Sequence, residues 1–181
     1  MKKTVLTFGA ISGIIVSLIM LMTVPFHDQI GFDNGYIVGY ASMLAAFLLI
    51  YFGVRSYRDN VAGGSVKFGR AFVVGALIAL ISSAMYTATW EVIYFGGFMP
   101  DFVPKYQEYV LKSAREKGAT QAELDKKTAE LQSLAEKYKN PVFNAGFTLL
   151  EPLPLGLLIA LISAAVVSRR RRPEGAMAAV T

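Results

Sequence analysis

The sequence predicts an all-α membrane protein: a four-transmembrane-helix bundle with an extracytoplasmic helical hairpin between helices 3 and 4. Apolar residues make up 54% of the 181-residue chain and charged residues only 17%, a balance too greasy for an ordinary soluble domain of this length. The apolar residues gather into four long runs, each of a length that can cross a hydrocarbon core. Between the last two runs lies the one sizeable polar region, residues 96–141, which reads as two helices.

Residues 4–24 carry no charge and span about 31 Å at ~1.5 Å per residue, with Lys2 and Lys3 ahead of them. The run is longer than the apolar core of a usual signal peptide and ends in Thr23-Val24-Pro25 without a small-x-small cleavage site, so a retained helix is expected. Gly9, Gly13 and Ser17 recur every four residues, a spacing that lets another helix approach closely. The plain alternative is chance, since glycine is common in membrane helices. Residues 25–35 are expected to form a short polar connection holding His27, Asp28 and Asp33, and residues 36–54 the second crossing. Arg55, Arg58, Lys67 and Arg70 share the next loop, with Gly63-Gly64 as its turn. The third crossing covers residues 71–95, with Gly75, Ala79 and Ser83 spaced by four. Trp90, Tyr94 and Phe95 crowd its far end as an aromatic belt would.

In residues 96–141, eight basic side chains face seven acidic ones. The first helix there has Phe102, Tyr106, Tyr109 and Val110 along one side and should stop near Gly118. The second opens with Thr120-Gln121-Ala122-Glu123, a capping box in which the Thr oxygen and the Glu carboxylate each satisfy a free N–H. Leu124, Thr128, Leu131, Ala135 and Tyr138 then form a stripe suited to the first helix or to the membrane surface. Tyr106, Tyr109 and Tyr138 are expected at the inner seam of this hairpin. Residues 142–168 make the fourth crossing, with Glu151-Pro152-Leu153-Pro154 inside it. A proline lacks an N–H and crowds the carbonyl four residues earlier, so the helix should bend there and expose the carbonyls of Thr148 and Leu150. Residues 169–181 form a basic cytoplasmic tail, expected to be disordered beyond Pro173.

Tyr57-Arg58-Asp59-Asn60, Gly63-Gly64, Phe68-Gly69-Arg70-Ala71-Phe72, Trp90-Glu91, Pro100-Asp101-Phe102 and Glu151-Pro152-Leu153-Pro154-Leu155-Gly156 follow one another in this order. Together they resemble the bacterial membrane family called domain of unknown function 4199. The resemblance covers nearly the whole chain and implies a small multi-spanning protein of a bacterial membrane. It carries over no catalytic residue. Lys2, Lys3, the basic second loop and the terminal arginines place both termini in the cytoplasm by the positive-inside rule, so the expected location is the bacterial inner membrane.

With no cysteine and His27 as the single histidine, thiolate and multi-histidine metal sites are excluded, as are cysteine nucleophiles. Gly-x-Ser-x-Gly and His-Glu-x-x-His are absent, and Gly63-Gly64 lacks the following Lys-Ser/Thr of a phosphate loop. No enzyme, cofactor or metal is therefore expected. Nor is nucleic acid, because arginines beside an apolar run read as a stop-transfer and headgroup anchor. The headgroup contacts expected are Arg55, Arg58, Arg70, Arg169, Arg170, Arg171 and Arg172, with Arg58 and Asp59 also placed to cap the last carbonyls of the second crossing or to pair across to Arg70.

The candidate intramembrane site comprises Glu91, Glu151, Pro152, Pro154, His27 and Asp28. These could converge beneath the hairpin as a proton or cation site; alternatively each glutamate is protonated or paired and only fixes helix packing. Two functional readings follow. One is a non-enzymatic accessory or scaffold protein whose residues 101–139 meet a membrane or periplasmic protein partner. The alternative is a small ion- or proton-coupled carrier or binding protein using Glu151 and the broken fourth helix. Four helices are few for a carrier, so that version calls for a homo-oligomer, with the Gly9-Gly13-Ser17 face as the seam.

Overall fold

The structure is a computed structural model that describes residues 1–169. Arg170, Arg171, Arg172 and the rest of the tail lie outside the described residues. Among these there are seven α-helices and no strand. They are α1 (Lys2–Thr23), α2 (His27–Asn60), α3 (Phe68–Phe95), α4 (Phe102–Glu116), α5 (Gln121–Tyr138), α6 (Pro141–Leu149) and α7 (Pro152–Val167), with a 3₁₀ turn at Val24–Phe26. Three helical stretches are long and apolar enough to cross a membrane: Lys2–Asn60, Phe68–Phe95 and Pro141–Val167.

The first stretch folds back on itself. Pro25 sits in the 3₁₀ turn, and beyond it α2 returns along α1, with the Ser12 hydroxyl donating to the Ala46 carbonyl at 2.9 Å. The polar connection expected at residues 25–35 is therefore a correction: the chain is helical again from His27, and only Gly31 leaves helical geometry, at φ 71° and ψ 168°. Polar side chains do not stop a helix, and an acid such as Asp28 in the first turn favours one. A positive φ does interrupt it, and glycine is the residue that adopts one readily.

The packing suits helices in an apolar solvent: small and polar residues are buried alongside Met43, Phe47, Ile50 and Ile78, and many large apolar residues face outward. Ser12, Ser82, Ser83, Asn144 and Ser163 are buried, while Leu6, Leu18, Leu48, Phe52, Leu158 and Ile162 are exposed. In such a solvent helices associate through close packing and hydrogen bonds rather than through a hydrophobic drive. α1 and α3 run parallel, joined by Ser82 Oγ to the Gly9 carbonyl at 3.1 Å and Thr89 Oγ1 to Ser17 Oγ at 2.8 Å. Gly9 meets Ile81 and Gly13 meets Met85, so the small-residue face of α1 is already filled within one chain. That corrects its assignment as an oligomer seam. α3 and α7 run antiparallel. A Cβ at Gly75 would lie 2.9 Å from the Ala160 Cβ, and one at Gly156 would lie 2.8 Å from the Ala79 Cβ.

Arg58 also departs from the headgroup role. Only 8% exposed, it turns inward, donating from Nη1 to the Val167 carbonyl at 3.3 Å and from Nε to Asp59 at 2.7 Å. The last carbonyls of α7 have no partner within their own helix, and a cation there also opposes the negative end of its dipole. Arg55, which pairs with Asp59 at 3.6 Å, and Arg70 and Arg169 are exposed. The packing directions bring Lys2, Lys3, Arg55, Arg70 and Arg169 to one end, with α4 and α5 at the other.

Gly75→Leu must displace the Ala160 backbone, whose Cα lies 3.2 Å from the added Cβ. The expected loss is about 1–3 kcal/mol or more, seen as a lower thermal midpoint in detergent. Gly146→Ala, on a helix surface with nothing within 4 Å, should leave the midpoint equal or higher. Equal losses from the two variants would show that close approach of α3 and α7 is not what holds the bundle.

Candidate functional site

α4 and α5 form a hairpin whose local structure follows its sequence. Gly118 supplies the left-handed turn at φ 83°, and Thr120 and Glu123 complete the capping box, with the Thr120 N–H donating to the Glu123 carboxylate at 2.8 Å. That backbone bond, aided by the Thr120 hydroxyl, holds the Glu123 carboxyl below the ordinary glutamate range. The tyrosines do not form a private seam between the two helices. Instead Tyr106 and Tyr109 pack on Phe32 of α2, at ring distances of 5.6 and 5.0 Å, and Tyr109 Oη donates to Asp33. Lys105 pairs with Asp28 at 2.6 Å. Tyr138 reaches the other way, accepting from Trp90 Nε1 and bonding Thr148 Oγ1, each at 3.2 Å. Both amphipathic helices turn their aromatic sides toward the end of the bundle.

Between hairpin and bundle lies a cavity of about 540 Å³. It exists because the first half of α2 stands away from the other helices: no residue between His27 and Ser42 is buried, whereas Met43, Ala46, Phe47 and Ile50 are. Gly31, Gly35 and Gly39 line it, and a Cβ at any of them would meet nothing within 4 Å. Tyr36 and Tyr40 from α2, Tyr86 and Trp90 from α3, Phe102 and Tyr106 from α4, and Leu131 and Leu134 from α5 are part of the wall, to which α1 and α6 also contribute. Glu151 and His27 are the acid and the imidazole that line it; no Lys or Arg among the described residues does.

Glu151 owes its position to the two prolines. Leu150 and Glu151 close an i→i−3 turn, their N–H groups donating to the carbonyls of Phe147 and Thr148 at 3.2 Å each. The Thr148 carbonyl is thus occupied rather than exposed, which corrects one of the two carbonyls expected to be freed. An acidic residue at a helix start ordinarily accepts from the N–H two or three positions on. Three positions on from Glu151 is Pro154, which has no N–H, and Glu151 makes no cap bond with its own helix. Its Oε2 accepts instead from Tyr86 Oη across the cavity wall at 3.0 Å. Pro152 is buried and Pro154 exposed, so neither offers the cavity more than this geometry.

The other two candidates fall elsewhere. Asp28 points outward to Lys105, and Glu91 does not line the cavity. The helical phase explains the second case: five residues turn an α-helix by about 140° at 3.6 residues per turn, so Glu91 faces away from Tyr86. Its Oε1 is buried without a hydrogen-bond partner among the described residues, as are Thr87 Oγ1 and Ser83 Oγ, which lie on the same face of α3 at intervals of four. The candidates thus separate: Glu151 and His27 share the cavity, while Glu91 belongs to a polar face of α3.

Residues 7–169 match the family described as Protein of unknown function (DUF4199). The chain belongs to that family. No curated protein and no solved structure matches it. Family membership assigns no reaction, so the chemistry of the cavity is read from its own walls. Sequence reasoning missed Gly31, Gly35 and Gly39 and the tyrosines Tyr36, Tyr40 and Tyr86. The glycine spacing of four, running from the expected connection into the second crossing, marks a face of small residues, and whether such a face is filled, as at Gly9 and Gly13, or open, as here, is not written in the spacing.

Two neighbouring serines provide a test of the buried polar face. Ser82→Ala removes a bond to the Gly9 carbonyl and should destabilise by about 1 kcal/mol, whereas Ser83→Ala removes a hydroxyl with no partner and should be neutral or stabilising. Thermal midpoints that fall equally would contradict this. For the hairpin, the folded-state pKa of Glu123 is depressed, so its contribution is complete above the unfolded value and fades as pH falls through the folded one. Protection factors of α5 amides should drop below the ordinary glutamate range in the native chain, and a Glu123→Ala variant should show no such drop.

Proposed function

We propose that this chain is a non-enzymatic integral membrane protein that crosses a bacterial inner membrane four times and binds an apolar ligand in the cavity beneath its hairpin. The observation that carries the reading is the cavity itself, whose ~540 Å³ falls in the range of small-molecule sites and whose wall is mostly apolar and aromatic. Four crossings are supported by the first stretch, whose 59 residues would run about 88 Å if straight, roughly three times a hydrocarbon core, and which folds back at Pro25. A cytoplasmic location of both termini is supported by the basic residues gathered at the end away from the hairpin, and Arg55, Arg70 and Arg169 are exposed there to meet headgroups. The scaffold reading loses ground to the binding one because the hairpin's aromatic surface faces the cavity, which leaves its charged face for any partner.

Trp90 is the chain's single tryptophan and lines the cavity, so it reports occupancy. With the protein in nanodiscs, energy transfer from Trp90 to N-phenyl-1-naphthylamine should saturate. Gly35→Leu should abolish the saturable part while leaving thermal stability equal or higher, since the new side chain projects into open space and glycine weakens a helix interior by about 0.5–1 kcal/mol. Transfer that rises linearly, or that Gly35→Leu leaves unchanged, would sink the reading.

A further inference from the structure

We infer that the cavity selects a lipophilic monocation: an amine or quaternary ammonium group carried on an apolar body. The inference rests on the cavity being a ligand site and adds the charge of what it takes. Glu151 is the carboxylate in the wall, and among the described residues Tyr86 is its one hydrogen-bond donor. A single phenol leaves most of a carboxylate's acceptor capacity unused, since two oxygens offer about four lone-pair sites. No Lys or Arg among the described residues lines the cavity to pair with it, and His27, with its Nδ1 3.7 Å from Asp28, packs edge-on against Phe32 and Phe102.

The rest of the wall suits the same ligand. Tyr36, Tyr40, Tyr86, Trp90, Phe102 and Tyr106 line the cavity, and aromatic faces attract a cation through the ring quadrupole, more strongly where water is scarce. An inorganic cation is a poorer match. It needs several oxygen ligands, and no group of three or more His, Cys, Asp or Glu stands together among the described residues. A phospholipid headgroup is a poorer match too, because its phosphate would need a cation that the wall does not provide. Tyr36, Tyr40 and Leu150 are both cavity-lining and exposed, so the cavity opens on the apolar flank of the bundle, where a lipophilic cation dissolved in the membrane could enter.

The test uses two ions of the same shape and opposite charge, tetraphenylphosphonium and tetraphenylborate, each displacing N-phenyl-1-naphthylamine from the full chain in nanodiscs and read by Trp90 energy transfer. Glu151→Gln should weaken displacement by the phosphonium at least tenfold, while displacement by the borate should be unchanged or stronger. Retained transfer to N-phenyl-1-naphthylamine in Glu151→Gln shows that the variant keeps its cavity. A phosphonium affinity that Glu151→Gln leaves unchanged overturns the inference and leaves the cavity reading standing. Absence of saturable transfer in the unmodified chain overturns the cavity reading itself. Added phosphatidylethanolamine should not compete; if it does, a headgroup is the ligand and the free monocation is ruled out.

Discussion

The close approach of α3 and α7 is the constraint on which the rest of the structure depends. Gly75 against Ala160 and Ala79 against Gly156 let the two backbones come nearer than larger side chains would permit. In an apolar solvent that proximity is itself the attraction, because lipid tails give Leu or Ile no reason to seek one another. The contact also fixes register. Beyond the seam α3 packs on α6, and Tyr86 reaches Glu151. The close-packed half of the bundle thus positions the polar groups of the other half.

The upper half is open because α2 is really two helices. From Asp28 to Asp33 its chain answers to the hairpin, through Asp28 to Lys105 and Phe32 to the tyrosines of α4; from Met43 on it answers to the core. The stretch between carries Gly35 and Gly39 toward empty space, so the bundle cannot close over it. A roof that packs at its edges and a wall that stands off in the middle enclose a volume without any residue being strained to do it.

Local chemistry made much of this legible in advance. The hairpin could be read from Gly118 and the Thr120–Glu123 box, and the interruption of the last crossing from two prolines, because each is a property of a few consecutive residues. The cavity could not be read that way. It depends on Gly31 taking a positive φ within a segment whose polarity suggested a loop, and on side chains that are absent at positions 35 and 39. Arg58 escaped for a different reason. Its partner carbonyl at Val167 is 109 residues away, and a charged residue beside a basic loop gives no local sign that it will turn inward. The pairing of Glu91 with Glu151 failed on helical phase, since depth in the membrane is set by residue count but direction is set by residue count modulo 3.6.

The prolines do more than bend a helix. A glutamate at a helix start has a ready partner in the backbone N–H groups of the first turn, and taking one would fold its side chain back onto its own helix. Pro152 and Pro154 remove two of those donors, and the side chain turns across to Tyr86 instead. A proline-flanked carboxylate at an interrupted helix is therefore held in place by a single phenol, with lone pairs left over. In a wall to which the described residues contribute no Lys or Arg, those lone pairs are what a visiting cation would find.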